Sequence, residues 1–541
     1  MNVAEVFAKT LSDFGVTRVY GVIGTSLIDF IDALYDYRGI RYISCRHEQV
    51  SASMADAEGR LTGFPGVAVA HASPGVLNSA ISVANAYKDG SPMILIAGSV
   101  KRMLKGKNSM LEANQFEIMK NITAGSFRVE DPKKALQIIS TAFSIAISES
   151  SPVYVEVAED LWSEECYYDK PELRVVRGVA NDDEIERAVS IIKRSSKPLI
   201  LAGSGINSEK GSKALMELVE RTGIPVVTTG NGRGAISEDY EFCFGRVGFG
   251  GGFLHADRAL RNSDCVICLG CQLSDISTYS YRWMPEKDVI AVTLDREAGK
   301  KLDYSLITYS DAVDFTKRLA QKLDYKVDIS WIEEIRGWQK EWNEFLEKIA
   351  MMKYENFANP ALFFKKLGEK VKNATICAGQ GMHVLYAQAY LKARFPRSYL
   401  AATNHGAMGF GFPAAMAAKL LGKESIAVVG DGEFMMTIQD LETAVREKIA
   451  VKVVVVNDNS YRVLYFRQKF QKGGRIYGTL HSNPDFAKLA EIFGAEGIRV
   501  EKDSEIDDAI KLMLESDKPF VLDLIISPDS FAPFNMEAPV S

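Results

Sequence analysis

Three parallel α/β units in series, each a doubly wound sheet, are what this sequence predicts. Two observations carry that expectation. Short apolar strands alternate with helical patterns along nearly the whole chain, the signature of a parallel sheet covered by helices. One stretch also contains a complete unit of such a sheet. An apolar run ends in Gly430-Asp431-Gly432, and Met436, Leu441, Ala444 and Val445 follow at helical spacing. The apolar strand Val451 to Val456 then closes in Asn457-Asp458-Asn459. Strand, glycine turn, helix and buried strand make a βαβ unit. A chain of 541 residues is long enough for three or four such units. The predicted boundaries are 1–170, 182–325 and 355–530, followed by a C-terminal tail at 531–541.

The first unit opens with an amphipathic helix, since Val3, Phe7, Leu11 and Phe14 share a face. Val19 to Gly24 reads as a strand entering a glycine turn, and a helix over Leu27 to Leu34 follows. Arg41 to Cys45 is the next strand, ending in Arg46-His47-Glu48-Gln49. The helix after it, Val50 to Arg60, is rich in small residues and can pack closely. Val67 to Ala70, Met93 to Ala97 and Val153 to Val157 are further strands. A charged linker from Pro152 to about Asn181 marks the boundary. In the central unit, strands are predicted at Pro198–Ala202, Pro225–Val227, Asp264–Leu269 and Val289–Leu294. Gly248, Gly250, Gly251 and Gly252 form a glycine-rich loop that could approach a nucleotide, a weak signal alone. A charged helix with Trp331, Trp338 and Trp342 crosses to the third unit, where Ala374 to Cys377 is a strand and Gly379-Gln380-Gly381 opens a helix.

Composition excludes several classes. Apolar content of 47% with 25% charged residues is that of a globular protein. A net charge of −6 offers no basic footprint for nucleic acid. No membrane span is expected, because no apolar run is long enough. Seven cysteines, an odd number, point to reduced thiols and a cytoplasmic protein. Cys265, Cys268 and Cys271 have part of an iron–sulfur spacing but lack the fourth cysteine, and the segment reads as a buried strand instead.

Chemistry is expected where polar clusters meet the carboxyl ends of strands. Asp431 and Asp458 both lie there, in successive loops. Two hard oxygen ligands beside a helix N-terminus suit Mg²⁺ shared with a phosphate, and the glycines around Asp431 let backbone approach an anion. Glu48, at a strand end flanked by small residues, is a carboxyl group placed for acid–base work.

These residues together resemble the thiamine-diphosphate (ThDP) enzyme family, whose diphosphate motif opens with GDG and closes in NN or ND. The resemblance implies that Asp431 and Asp458 hold Mg²⁺ through side-chain oxygens and Ser460 through its carbonyl. It makes Gln380, Gly381, Met382, Gly430, Gly432, Glu433 and Tyr461 cofactor-side residues. Arg46-His47-Glu48-Gln49 looks like the family's catalytic-glutamate segment, so Glu48 is expected to bond the cofactor's aminopyrimidine nitrogen. His71-Ala72-Ser73-Pro74-Gly75-Val76-Leu77-Asn78 resembles the family's TSGPGxxN turn, which makes Asn78 a catalytic candidate. His71 stands where a small polar residue is usual; it is read as catalytic, with a hydrogen-bonded structural histidine as the alternative. Asn404 to Gly411 resembles the GxMGxG segment, implying that Gly406 offers its carbonyl to the cofactor's amino group and that Met408 is the apolar wedge under the two rings that forces the bent conformation.

The resemblance is closest to the acetolactate synthase and 2-hydroxyacyl-CoA lyase/oxalyl-CoA decarboxylase branch. Met408 to Ala415, Asp440 to Glu447 and Asn483 to Ala490 all read like acetolactate synthase. Other positions differ: Ile276 stands in place of an arginine, Leu111 of a glutamine, Ala124 of a lysine, Arg467 of a tryptophan and Arg462 of a glycine. These changes weaken FAD binding and authentic acetolactate synthesis together. The implied activity is decarboxylation of a 2-oxo acid, with or without carboligation. The alternatives are a CoA-ester lyase or a flavin-dependent pyruvate oxidase. The family builds its site between subunits, so a homodimer is the minimum and a tetramer is expected. Arg462 and Arg467, if they point inward, favour an anionic substrate. The tail from Ala532 to Ser541 either covers the site or is frayed.

Overall fold

The structure, a computed structural model, describes residues 1–282 and 287–537. It contains three six-stranded sheets in which every pairing between strands is parallel. The first holds β1 (Arg18–Gly21), β2 (Arg41–Ser44), β3 (Gly66–Ala70), β4 (Met93–Ser99), β5 (Gly125–Val129) and β6 (Pro152–Ala158), in the order β2-β1-β3-β4-β6-β5. The second holds β7 (Pro198–Ala202), β8 (Val226–Thr228), β9 (Cys243–Arg246), β10 (Cys265–Leu269), β11 (Asp288–Val292) and β12 (Leu306–Thr308), in the order β12-β11-β10-β7-β8-β9. The third holds β13 (Thr375–Ala378), β14 (Tyr399–Ala401), β15 (Ser425–Gly430), β16 (Lys452–Asn457), β17 (Glu496–Val500) and β18 (Phe520–Ile525), in the order β14-β13-β15-β16-β18-β17.

The outer two sheets therefore share one strand order, while the central sheet has the order of a dinucleotide-binding fold. The inner strands β3, β7, β10, β15 and β16 are buried along their whole length, which is why they read as apolar runs. Helix starts follow local capping chemistry. Asn2 and Glu5 form a capping box for Val3–Asp13, and Asn181 and Glu184 form another for Asp182–Lys193.

Three devices join the units. The small residues of the helix Glu48–Thr62 pack on Gly411–Leu420, so one apolar core runs through the first and third units. Asp89, fully buried, accepts from Arg60 at 3.1 Å, Asn231 Nδ2 at 2.9 Å and the Asn404 amide at 2.9 Å, which ties all three units at one carboxylate. The helix Ile329–Ala350 anchors Trp331 under the central sheet, with Nε1 donating to the Pro198 carbonyl at 3.1 Å, and carries the chain to the third unit.

Several expectations need correction. The stretch after Gly432 is not one amphipathic helix. It is a turn at Asp431–Phe434, a 3₁₀ turn at Ile438–Asp440 and a helix at Leu441–Arg446, and Met436 is exposed. The break falls where Thr437 packs against Gly409 from the neighbouring loop. The strands β5, β9, β12, β14, β17 and β18 were not expected. All seven cysteines are free and buried, and burial pushes the Cys265 thiol up to about 12. Among the described residues no cluster of three or more His, Cys, Asp or Glu side chains is arranged to hold a metal. No helix among them is long and apolar enough to cross a membrane. Of the 531–541 tail, residues 531–537 fold back onto the central unit, where Asn535 Nδ2 donates to Asp257 at 2.8 Å; residues 538–541 lie outside the described residues.

Candidate functional site

In the third sheet the chain leaves β13 and β15 in opposite directions, which opens a crevice at their carboxyl ends. Gly379-Gln380-Gly381 follows β13, Asp431-Gly432-Glu433 follows β15, and Asp458 to Tyr461 follows β16. The two carboxylates converge as the spacing predicts. Asp431 is 3% exposed and Asp458 is 9% exposed. Burial, reinforced by the charge of Asp431, pushes the Asp458 carboxyl up to about 6, while the Arg462 guanidinium opposes the shift.

Neighbouring side chains orient this pair. Asp458 Oδ1 accepts the Ser460 amide at 3.0 Å and the Ser460 hydroxyl at 2.7 Å. Asp431 Oδ2 accepts Asn483 Nδ2 at 2.6 Å and lies 3.3 Å from His481 Nε2. Asn457 is not free to face the crevice, because its Nδ2 donates to Asp523 at 2.9 Å. Two adjacent buried carboxylates are hard oxygen donors that could hold a cation such as Mg²⁺. Tyr461 lies over Gly432, where a Cβ would meet its ring at 2.6 Å.

Glu433, expected among the cofactor-side residues, does something else. Its carboxylate is 1% exposed and bridges two loops: Oε2 accepts the Gln380 amide at 2.9 Å and Oε1 accepts the Gly409 amide at 2.9 Å. It occupies the space beside Gly379, where a Cβ would sit 1.7 Å from Oε2. The loops it joins carry Gln380, Gly381 and Met382 on one side and Gly406 and Met408 on the other. Gly406 has φ +72° and sits next to the Gln380 side chain. The half-buried Met408 gives its carbonyl to Gln49 Nε2 at 2.8 Å.

Glu48 begins the helix after β2 and is 8% exposed. Its Oε2 accepts Asn78 Nδ2 at 3.0 Å, and a Cβ on Gly75 would crowd Oε1 at 2.9 Å. Glu48 and Asn78, singled out separately in the sequence, are thus brought together. His71 is not part of that pair. Its Nδ1 lies 2.8 Å from Ser26 Oγ and its ring packs against Gly24, bridging the turns after β1 and β3. Burial lowers its pKa. The structural alternative for His71 is the one the geometry carries. Among the described residues Glu48 and Asp431 of one chain share no hydrogen bond or ion pair.

Sequence reasoning missed several residues. Ser73 adopts φ +45° and its amide donates to Gln115 Oε1 at 2.6 Å, leaving its buried hydroxyl without a partner. Gln115 is fixed in turn by Gly98, Tyr154 and Glu156. Asn483 opens a stretch that reads like acetolactate synthase but gives it no role at the site, and His481 has no motif; their shared partner, Asp431, is what identifies both. Apolar side chains stand exposed beside both halves: Leu77 and Ile81 next to Asn78, and Met435, Met436 and Leu464 near Asp431 and Asp458.

The turns after β7 and β10 of the central sheet approach closely. Gly205 packs backbone to backbone on Gly270, and the remaining cavity, lined by Ser204, Gln272 and Ser274 among others, is about 20 Å³. The glycine-rich loop at 248–252 is pinned by Asp257, which accepts the Gly248 amide at 3.0 Å, and by Arg246, which holds the Phe249 carbonyl at 2.7 Å.

Residues 1–118, 185–319 and 379–524 match, in turn, the N-terminal TPP binding domain, the central domain and the C-terminal TPP binding domain of the thiamine pyrophosphate enzymes. Among curated proteins the chain is similar to a probable acetolactate synthase large subunit of Methanocaldococcus jannaschii. It is 31% identical over 98% of this chain and 93% of that one. It is likewise similar to the acetolactate synthase large subunit of Corynebacterium glutamicum, at 30% over 98% of this chain and 87% of that one. The acetolactate synthase isozyme 3 large subunit of Escherichia coli K12 is 28% identical over 95% of this chain and 92% of that one.

Proposed function

The chain belongs to the thiamine pyrophosphate enzymes, in the acetolactate synthase branch, and from that premise we propose that it decarboxylates a 2-oxo acid and passes the product to a proton or a second carbonyl. It is a ThDP-dependent enzyme acting on 2-oxo acids. The observation that carries the finer reading is the buried Asp431–Asp458 pair at the carboxyl ends of β15 and β16.

In this reading Asp431, Asp458 and the Ser460 carbonyl would hold Mg²⁺, which would supply the positive charge that a diphosphate needs there. Gln380 and Gly381 offer the second grip at the crevice, with Glu433 fixing the distance between their loop and the Gly406–Met408 loop. Tyr461 and Gly432 wall the diphosphate side. The bound cofactor supplies the carbon nucleophile and the electron sink for loss of CO₂. Glu48, held by Asn78, exchanges a proton with the aminopyrimidine and so prepares that nucleophile. His71 keeps the turn beside it in place.

Glu48 and Asp431 serve one site from two copies of the chain. The exposed apolar side chains around Asn78 and around Asp431 are what such an interface covers, so a homodimer is the minimum unit, with pairing into tetramers as its extension. FAD is given no role in this reading, since Ile276, Leu111 and Ala124 stand where the resemblance expects polar or charged side chains. The three proposed units are 1–170, 182–325 and 355–530.

The test incubates the protein with ThDP, Mg²⁺ and a panel of 2-oxo acids, with and without an aldehyde or CoA ester, and identifies products by mass. Release of CO₂ with a C–C coupled product supports the reading, and product only in the presence of acyl-CoA replaces it with the CoA-ester lyase. Glu48→Gln and Asp431→Asn each abolish turnover. Mixed in equal amounts with exchange, they regain about a quarter of wild-type sites, since half the dimers are mixed and each has one intact site. No recovery on proven exchange removes the cross-subunit arrangement.

A further inference from the structure

Arg462 is placed where local physics disfavours it. It is the first residue of the helix Arg462–Gln471, at the positive end of the helix dipole. Its side chain is 5% exposed, and two of its guanidinium nitrogens, Nε and Nη1, are buried without a hydrogen-bond partner. Nη2 donates to the Ser530 carbonyl, and the guanidinium lies 5.5 Å from the Phe466 ring centroid and 5.8 Å from that of Tyr386. A buried cation so poorly satisfied needs a compensating charge. Among the described residues its one anionic contact is Asp458, with Nε 3.5 Å from Oδ2. Asp458 has a matching problem, since it is buried beside a second carboxylate, Asp431. Against the Asn-Asn form of the resembling motif and its later glycine, this chain has an extra negative and an extra positive charge, four residues apart and 3.5 Å from each other.

We propose that Arg462 is a positioning residue, the resident counter-charge that lets Asp458 stand buried beside Asp431 in a site that must also accept a diphosphate. Two carboxylates with no counter-charge attract a divalent cation but repel the anion it brings. Arg462 removes that surplus while leaving an Asp458 oxygen available as a ligand. Its bond to Ser530, where the Tyr386 hydroxyl also holds the Phe531 carbonyl at 3.1 Å, fastens the same loop to the segment that runs to the C-terminus. The diphosphate part of this inference rests on the proposed ThDP function; the charge pairing does not.

The experiment compares wild type, R462M, R462K, D458N and D458N/R462M. It reads thermal unfolding of the metal-free proteins in EDTA, and calorimetric affinity for ThDP at saturating Mg²⁺. R462M is expected to lower the metal-free unfolding temperature and to weaken ThDP by roughly tenfold, while R462K stays near wild type. D458N/R462M recovers both readouts, to within about threefold of wild type for ThDP, because a neutral amide still offers its oxygen and needs no counter-charge. A double variant as impaired as R462M overturns the proposal, as does an R462M indistinguishable from wild type. If R462M does not fold, a soluble folded double variant supports the pairing. A double that also fails while D458N folds assigns Arg462 to packing and overturns it. Failure of the wild type to bind ThDP refutes the functional reading and leaves the unfolding comparison as the test of the pair.

Discussion

Glu433 is the point at which a small change should loosen the candidate site without touching a ligand. Its two oxygens accept the Gln380 and Gly409 amides, both at 2.9 Å, and so join two separate loops. Glu433→Gln keeps one acceptor and turns an NH₂ group toward the other amide. One charge-assisted hydrogen bond is lost and one buried N–H is orphaned, which costs about 2 kcal/mol. That cost falls on local opening of the two loops, because Glu433 is not part of the sheet. Hydrogen–deuterium exchange of the metal-free protein is the direct assay. Peptides covering residues 376–384 and 405–412 are expected to exchange roughly thirtyfold faster, with those covering β4 and β6 unchanged. Gly379→Ala reaches the same end from the other side, since its Cβ would sit 1.7 Å from Oε2 and must expel the carboxylate. Unchanged protection in both loops for both variants would mean that something else holds them, and the bridging role would fall.

Two further perturbations test other parts of the fold. Gly409→Ala is disfavoured twice, by φ +93° and by a Cβ 2.6 Å from Gln49 Nε2; it is expected to weaken ThDP affinity by roughly tenfold, and an affinity equal to wild type would show that the loop has room. Burial pushes the Asp257 carboxyl up to about 7, against hydrogen bonds from Tyr279, Asn535 and Gly248 and the nearby Arg246 charge that act to lower it. A raised folded pKa gives stability that is complete below the unfolded value near 4 and lost as pH rises through 7, worth about 4 kcal/mol. Denaturant unfolding of wild type should therefore weaken from pH 5 to pH 8 more steeply than that of Asp257→Asn, and equal slopes would exclude Asp257 as the source.

Legibility in the sequence followed uninterrupted apolar runs more than burial itself, since β9 (CFGR) and β14 (YLA) are fully buried yet too short or mixed to stand out. Strands covered on both faces, such as β10 and β15, read as apolar runs. The missed β5 and β17 are edge strands, GSFRV and EGIRV, half exposed and mixed in composition. β18 is fully buried but carries Asp523, whose carboxylate takes Asn457 and so interrupts the apolar pattern. At the site, Asp431, Asp458, Glu48 and Asn78 were legible because a motif fixes each. Asn483, His481 and Gln115 act through contacts across tens of residues, and a single sequence carries no signal of that distance. Glu433 was legible as present but not as a bridge, since its two partners come from separate loops.

The shared strand order of the outer sheets makes their differences informative. β1 and β3 correspond by position to β13 and β15, so each outer unit has a crevice at the same address. In the first unit that crevice is stitched shut by neutral groups: Ser26 bonds His71, and the His71 ring fills the space over Gly24, where a Cβ would meet it at 2.2 Å. In the third unit the corresponding turns are held by the Glu433 carboxylate from below, and Asp431 faces the opening. The loops after β2 and β14 correspond as well, and there the roles reverse: the first unit supplies the Glu48 carboxylate, while the third supplies the Gly406 and Met408 backbone. Neither unit has both an open anion-binding crevice and a carboxyl group at the neighbouring strand end. A single copy of the fold therefore lacks a complete set of groups at either address. Within one chain the first and third units already touch, through Gln49 and the Met408 carbonyl, yet Glu48 and Asp431 share no hydrogen bond or ion pair among the described residues; the proposed pairing of two copies is what would bring the two carboxylates to one address.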